Sequence, residues 1–287
     1  MKSNRQMFSA LLIVCGVIGS AVSQQKPKLA ENAALRYWSA FAQMQDAAIN
    51  DQQAKEINVT LESNASYDDA KYKDLVEANK PALLTMARGT NLPTCAWGVE
   101  YQLGSEAPVD YVRKALALGR INVLYALHLL ASHDTDGATN AIVAGLRFSQ
   151  DTGKDGTLFA TLAAKSLLIA HLQAAESAIQ RGLSPEQRSI LQKALVQLGP
   201  SGLDWKAAAR QELELPTGLG PKGAAAMAKI VPVYTAALDN PSLLPKLQEM
   251  EKIAPQPVAD LIPNPSRIIQ QRQDLIDRLQ ETRSKVE

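Results

Sequence analysis

After residue 30, apolar residues recur three, four or seven positions apart along most of the chain, which is the repeat of one face of an α-helix. From Val109, the positions Val112, Leu116, Val123, Leu127 and Leu130 share a face, and a second stripe runs through Leu158, Leu162, Ile169, Leu172, Ala175 and Ile179. Leu35, Trp38, Phe41 and Ala42 fall on neighbouring turns and predict a first helix within 30–50. Tyr67 to Arg88 predicts another, with a bend at Pro81. The sharpest boundaries flank 184–198: Ser184 can cap, Pro185 suits the first turn, Gln187 completes a capping box and Gly199-Pro200 closes the far end. No stretch alternates apolar and polar residues for long enough to seed a sheet.

The spacing therefore predicts an all-α fold: an irregular array of antiparallel helical hairpins, tetratricopeptide-like in part. It reads as one helical domain over 24–287, with N-terminal helices and a loop (24–107), central hairpins (108–200) and C-terminal helices (201–287). The clearest hairpin spans 109–150, where Asp134-Thr135-Asp136-Gly137 reads as the turn and Ala138, Ala141, Ile142 and Leu146 mark the second helix. A Gly followed by Ala at that helix's start is the tetratricopeptide-like feature, although no 34-residue period recurs along the chain. Between Gly89 and Pro108 the period disappears, which predicts the longest internal loop. The final helix, 266–286, carries Ile268, Ile269, Leu275, Ile276 and Leu279 beside charges such as Asp274 and Arg278 at i and i+4, a pattern suited to packing on its own domain or on a helical partner.

The first two dozen residues change the picture of location. Lys2 and Arg5 precede an apolar run from Phe8 to Ile18, too short to span a bilayer, and Gly19-Ser20-Ala21-Val22-Ser23 suits a signal peptidase cutting ahead of Gln24. Residues 1–23 are thus expected to be a signal peptide and the rest to be exported, periplasmic or secreted, with no membrane span after signal removal. Of 30 basic and 29 acidic residues, only Lys2 and Arg5 fall in the signal, so the remainder balances within one charge and offers nothing to nucleic acid. With Cys15 in the signal, Cys95 is left alone, so the fold must stand on packing without a disulfide. The 46% hydrophobic content supplies that packing, and the 5% aromatic content favours helices over sheets.

Two short motifs carry a resemblance. Asn32-Ala33-Ala34-Leu35-Arg36-Tyr37-Trp38-Ser39-Ala40-Phe41, then Cys95-Ala96-Trp97-Gly98, then the 109–150 hairpin, together resemble a group of uncharacterised exported helical proteins of environmental bacteria, over roughly residues 30–200. The resemblance implies an exported helical protein and no activity. An aspartate is common in that group at the position of Ala96, so a role needing a carboxylate there does not carry over to this chain.

The residues with chemical potential are few. Cys95 would need a base such as His128, His133 or His171 to become a thiolate nucleophile; Cys-x-Trp-Gly in a loop instead suits an anchor plugged into a helical core. His128 and His133 lie five apart, about 140° around a helix, and cannot share an ion from one face. His133 is placed to cap a helix C-terminus, while His128 and His171 suit polar positions between helices. Asp151-Thr152-Gly153 has the letters of an aspartic-protease turn without a β-scaffold. Asp151 to Gly156 begins like a calcium loop but has Gly153 at its third position and Leu162 at its twelfth, so both strings read as an inter-helix turn. Glu212 and Glu214 look solvated, and no acid pair is singled out for glycoside hydrolysis. Asn58-Val59-Thr60 and Asn64-Ala65-Ser66 are glycosylation sequons. Tyr37, Trp38 and Phe41 are expected to form a face that docks on the core.

The expectation is a non-catalytic interaction or scaffold protein of the cell envelope, without cofactor or metal, engaging a protein partner through a helical groove or the helix 266–286. The alternatives are an envelope hydrolase using Cys95 or an acid pair, and a helical domain that binds a small molecule.

Overall fold

The computed structural model describes residues 31–45, 67–216 and 218–287, with positions 52, 55, 56 and 59. Residues 1–23, expected to be a signal peptide, and most of both sequons lie outside the described residues. The described chain is all-α, with no strand, and helices pack on helices throughout. In order the helices are α1 (Ala33–Gln43), α2 (Asp69–Thr90), α3 (Tyr111–Ala131), α4 (Thr135–Gly153), α5 (Leu158–Gln180), α6 (Pro185–Gln197), α7 (Trp205–Glu214), α8 (Gly220–Ala237), α9 (Leu244–Ile253), α10 (Gln256–Ala259) and α11 (Pro265–Val286).

Helix ends follow local chemistry. At α6, Ser184 and Gln187 form the reciprocal capping box with Pro185 in the first turn. Asn32, Asp68, Asp134, Thr157, Asp204 and Asn264 each accept a backbone N–H at the start of their helices. The turn expected at Asp134–Gly137 is instead the cap and first turn of α4, because Asp134 accepts from Gly137 N at 2.8 Å and so starts the helix early. The reversal is made by Ser132 and His133. His133 sits at φ 62, and Asp134 N bonds back to Leu129 O, so a histidine takes the left-handed position that ends α3. The Asp151–Gly153 string likewise lies in the last turn of α4, not in the connection to α5. α2 continues through Pro81 as one helix. The 91–110 connection contains a short 3-10 stretch at Tyr101–Glu106.

α5 is the central element. It packs against α3, α4, α7 and α11, and Ala160, Ala164, Leu167, Leu168, Leu172, Ala174, Ala175 and Ala178 bury most of its circumference. α3 and α5 are long and apolar enough to cross a membrane by length and composition, and most of each is buried within the fold. α11 lays Ile268, Leu275, Leu279 and Val286 on the protein's own body, against α5 and α6. Charges along α11 pair with one another, Glu281 meeting Arg278 at 3.0 Å and Lys285 at 2.6 Å, and also reach α5: Arg278 and Lys285 each meet Glu176 at 2.9 Å, and Lys165 reaches Gln271 at 2.7 Å and Asp274 at 3.3 Å. Glu176 is buried, and with Thr282 Oγ1 donating at 2.8 Å its carboxylate has three partners, which offsets the cost of removing it from water.

Buried side chains form two clusters that meet along α3, α4 and α5. The larger holds the C-terminal half of α3 with α6, α7, α8 and α11; the other holds α1, the end of α2, Cys95, Trp97 and the N-terminal half of α3.

Candidate functional site

The two motifs meet in space, through Asn32 and Ala96, which stand 64 residues apart in sequence. Asn32 caps α1 by accepting from Ala34 N at 3.1 Å, and the same side chain grips the loop: its Nδ2 donates to Ala96 O at 2.9 Å and its Oδ1 accepts from Ala96 N at 2.8 Å. Ala33 N adds a bond to Thr94 O at 2.7 Å. Position 96 thus serves through its backbone, and its side chain is free to differ.

The loop in turn finishes α4. The last carbonyls of a helix have no intrahelical donor, and here aromatic side chains supply them. Trp97 Nε1–H donates to Asp151 O at 2.8 Å and Tyr111 Oη–H to Thr152 O at 3.3 Å, and just past the helix end Tyr101 Oη–H donates to Asp155 O at 2.8 Å. Trp97 lies stacked on Tyr111 (centroids 4.1 Å apart, planes 16°) and on Tyr37 and Phe41, while Tyr37 meets Phe148 edge-on. Gly98, at φ 70, lets the chain turn away directly after the indole. α1 docks by Ala33, Ala34, Tyr37, Ala40 and Phe41, its small residues letting it close on the core. Trp38 departs from the expected docking face: it is 39% exposed and meets Phe41 and Trp97 only by its edge.

At the centre of this arrangement is Asp151, a buried carboxyl that sequence reasoning treated as part of a turn. Tyr37 Oη–H donates to its Oδ2 at 2.7 Å, and Arg147 Nε approaches Oδ1 at 3.3 Å in an ion pair that lacks hydrogen-bond alignment. Burial holds the carboxyl above the usual carboxylate range, against the Tyr37 bond and the Arg147 charge, which favour ionisation. The i, i+4 spacing of Arg147 and Asp151 was the sequence signal for this pair. Cys95 Sγ faces the Asp151 carbonyl at 3.8 Å, and burial, followed by the Asp151 charge, pushes its thiol well up. Reactive cysteines are exposed and have lowered pKa values; Cys95 is neither.

The histidines lie elsewhere. His171 is completely buried: Asn122 Nδ2 donates to its Nε2 at 3.1 Å, so its proton sits on Nδ1 and goes to Leu167 O at 2.8 Å. Ser149 Oγ is 3.2 Å from that same protonated Nδ1, and its own hydroxyl donates to Gly145 O at 2.7 Å. The ring nitrogen facing the serine therefore cannot accept its proton, and the Ser-His contact is packing rather than a nucleophile and its base. Burial lowers His171 to about 4, so the ring stays neutral. His128, on α3, holds α2 by bonding Asp69 Oδ1 at 2.5 Å, with Glu77 Oε1 3.7 Å from Nε2. Glu212 was misjudged as solvated: it accepts from Leu158 N at 3.0 Å and caps the start of α5. Among the described residues no three His, Cys, Asp or Glu side chains are grouped to hold a metal ion.

The surface offers a different feature. Between α7 and α8 lies an open groove of about 840 Å3, within the usual range for ligand sites. Leu213, Met227 and Val231 form its buried floor, Leu219, Ala224, Ala228 and Pro232 extend its apolar wall, and Arg210 and Glu214 stand exposed beside it. Among the described residues Arg210 makes neither an ion pair nor a side-chain hydrogen bond. No sequence motif marked this groove, because its walls come from two helices whose individual patterns read as ordinary amphipathic faces. Compared with family models, curated proteins and solved structures, the chain matches none.

Proposed function

We propose that the chain is a non-catalytic binding protein of the cell envelope, exported by its N-terminal segment, that works by receiving its ligand in the groove between α7 and α8. One contrast carries the reading. The groups with chemical potential, Cys95, Asp151 and His171, are each buried and engaged in holding helices together, whereas the groove is open, apolar and bordered by an unpaired arginine. Membership of the exported helical group is part of the same proposal; its support is that both of that group's motifs here join in one clasp around Ala96 and Trp97.

The test is binding of Nile red, a neutral dye that brightens in apolar sites. The wild type is expected to bind it saturably, and Ala228→Trp to lose that binding with an unchanged helical spectrum, since Ala228 is exposed and an indole there fills the groove rather than the core. Equal binding by the variant overturns the assignment. Native-state thiol labelling of Cys95 as fast as in urea removes the other support, by showing the thiol accessible.

A further inference from the structure

We propose that a second cleft, where α2, α4 and α6 meet, binds a small carboxylate with a short hydrocarbon body, its charge at Arg147 and its carbons against Val143, Ala194 and Leu198. The site is separate from the α7–α8 groove. α4 packs against both α2 and α6, and a cleft of about 190 Å3 remains where the end of α2 reaches the other two. Thr90 bounds it from α2, Val143 and Arg147 from α4, and Ala194 and Leu198 from α6. At about 30 Å3 for each water-sized group it has room for about six, well below the roughly 300–1,000 Å3 of drug-sized sites. The occupant is therefore small.

The lining selects an anion. Among the described residues Arg147 is the one charged side chain on it, and its other polar members are amides and a hydroxyl. Asp151 engages the guanidinium from one side only: its Oδ1 lies 3.3 Å from Arg147 Nε without hydrogen-bond alignment, while Tyr37 Oη–H donates to its Oδ2. The terminal nitrogens are less committed. Arg147 Nη1 makes one long bond, to Gln150 Oε1 at 3.4 Å, and Nη2 makes none among the described residues. Gln150 is itself fixed by donating to Leu198 O at 3.3 Å and Gly202 O at 3.1 Å, which holds that edge of the guanidinium at the cleft. The edge can give a carboxylate two parallel N–H bonds. A bare phosphate would find the same donors and leave the Val143, Ala194 and Leu198 walls uncovered, whereas a few methylenes cover them.

The experiment follows backbone amide shifts of the isotope-labelled chain titrated with butyrate, with butyramide as the uncharged match and inorganic phosphate as an anion without hydrocarbon. Butyrate is expected to shift the amides of Thr90, Arg147 and Ala194 saturably and together, and to bind about tenfold more tightly than butyramide or phosphate. Arg147→Gln should remove the preference over butyramide. Ala194→Phe, which fills the cleft from a half-buried position, should abolish binding of both, each variant keeping its helical spectrum. Asp151→Asn, which takes away the neighbouring acid, should bind butyrate at least as tightly as the wild type. Absence of a saturable shift at these helices in the wild type overturns the site. Equal affinity for butyrate and butyramide, or a butyrate affinity untouched in Arg147→Gln, overturns the anion, and phosphate binding as tight as butyrate overturns the hydrocarbon body. A folded Asp151→Asn that loses butyrate shows that the guanidinium has no donors to spare beside its ion pair, and the assignment fails.

Discussion

Removing the Trp97 indole tests whether the clasp between α1, the 91–110 connection and α4 holds the N-terminal part of the fold. Trp97 is 9% exposed, stacks on three aromatic rings and supplies the shortest of the hydrogen bonds to Asp151 O, at 2.8 Å beside Lys154 N at 3.3 Å. Truncating a buried Trp to Ala costs about 3–5 kcal/mol, and losing the indole N–H bond to Asp151 O, which keeps the Lys154 N–H as a donor at 3.3 Å, adds to the loss. We therefore expect Trp97→Ala to destabilise by about 4 kcal/mol. Cys95→Ala, which deletes one sulfur with a long contact at 3.8 Å, should cost about 1 kcal/mol. Trp97→Phe separates the two contributions: it keeps an aromatic ring and loses the N–H, for about 1.5 kcal/mol. Urea unfolding followed by far-UV circular dichroism reads all three. With a slope of about 3 kcal/mol/M, the alanine variant's midpoint should fall by roughly 1.3 M. A Trp97→Ala midpoint no lower than that of Cys95→Ala refutes the reasoning, and a phenylalanine variant as damaged as the alanine one refutes the assignment of most of the energy to stacking.

Asp151→Asn tests the buried carboxyl. A carboxyl raised in the folded state binds its proton more tightly there, so its contribution is present below the ordinary value of 3.8 and is lost as pH rises through the folded value. The stability of the variant relative to wild type should therefore rise as pH increases from about 4, and a relative fall would mean that the Tyr37 and Arg147 interactions outweigh burial. Gly145→Ala tests the packing of His171: a Cβ there would lie 2.1 Å from the imidazole and 2.6 Å from Asn122 Nδ2. Because both neighbours are locked by their own bonds, we expect a loss of about 3 kcal/mol, measured as a fall in melting temperature, and an unchanged midpoint would show that the ring moves freely.

Much of the fold was legible because it depends on local rules. The caps of α6, the hairpin of α3 and α4, and the extent of α11 follow from residues within a few positions of each boundary. The αL turn at His133 was less so, since a histidine there gives no glycine signal and Asp134 looked like part of the turn rather than its end. The site was legible in its members and illegible in its wiring. Cys95, Trp97, Tyr37 and Phe41 do share one cluster, but Asp151 joins them across 114 residues through the Tyr37 bond, and no local pattern encodes a contact at that separation. Trp38 shows the same limit: neighbouring turns placed it beside Phe41, and only the path of the 91–110 connection determines which of the two is covered. The α7–α8 groove escaped notice because concavity belongs to a pair of helices.

The two buried clusters let the clasp and the groove be perturbed separately. Trp97, Tyr37 and Cys95 pack in the cluster around α1 and the N-terminal half of α3, while Leu213 and Met227, the groove floor, belong to the cluster around α6, α7, α8 and α11. The clusters meet at α5, a helix whose long run of buried alanines and leucines leaves little room to transmit a small shift without a large cost. A variant that weakens the clasp without unfolding the protein, such as Trp97→Phe, should then keep the Nile red affinity of the wild type. That outcome would place binding and the conspicuous sequence motifs in different parts of the molecule: Asn32, Cys95 and Trp97 for holding the chain together, and the quieter stretch around Arg210 and Met227 for what it receives. A clasp variant that retains its helical spectrum and loses the dye would instead tie the groove to α1, and the division of labour argued from the two clusters would have to be given up.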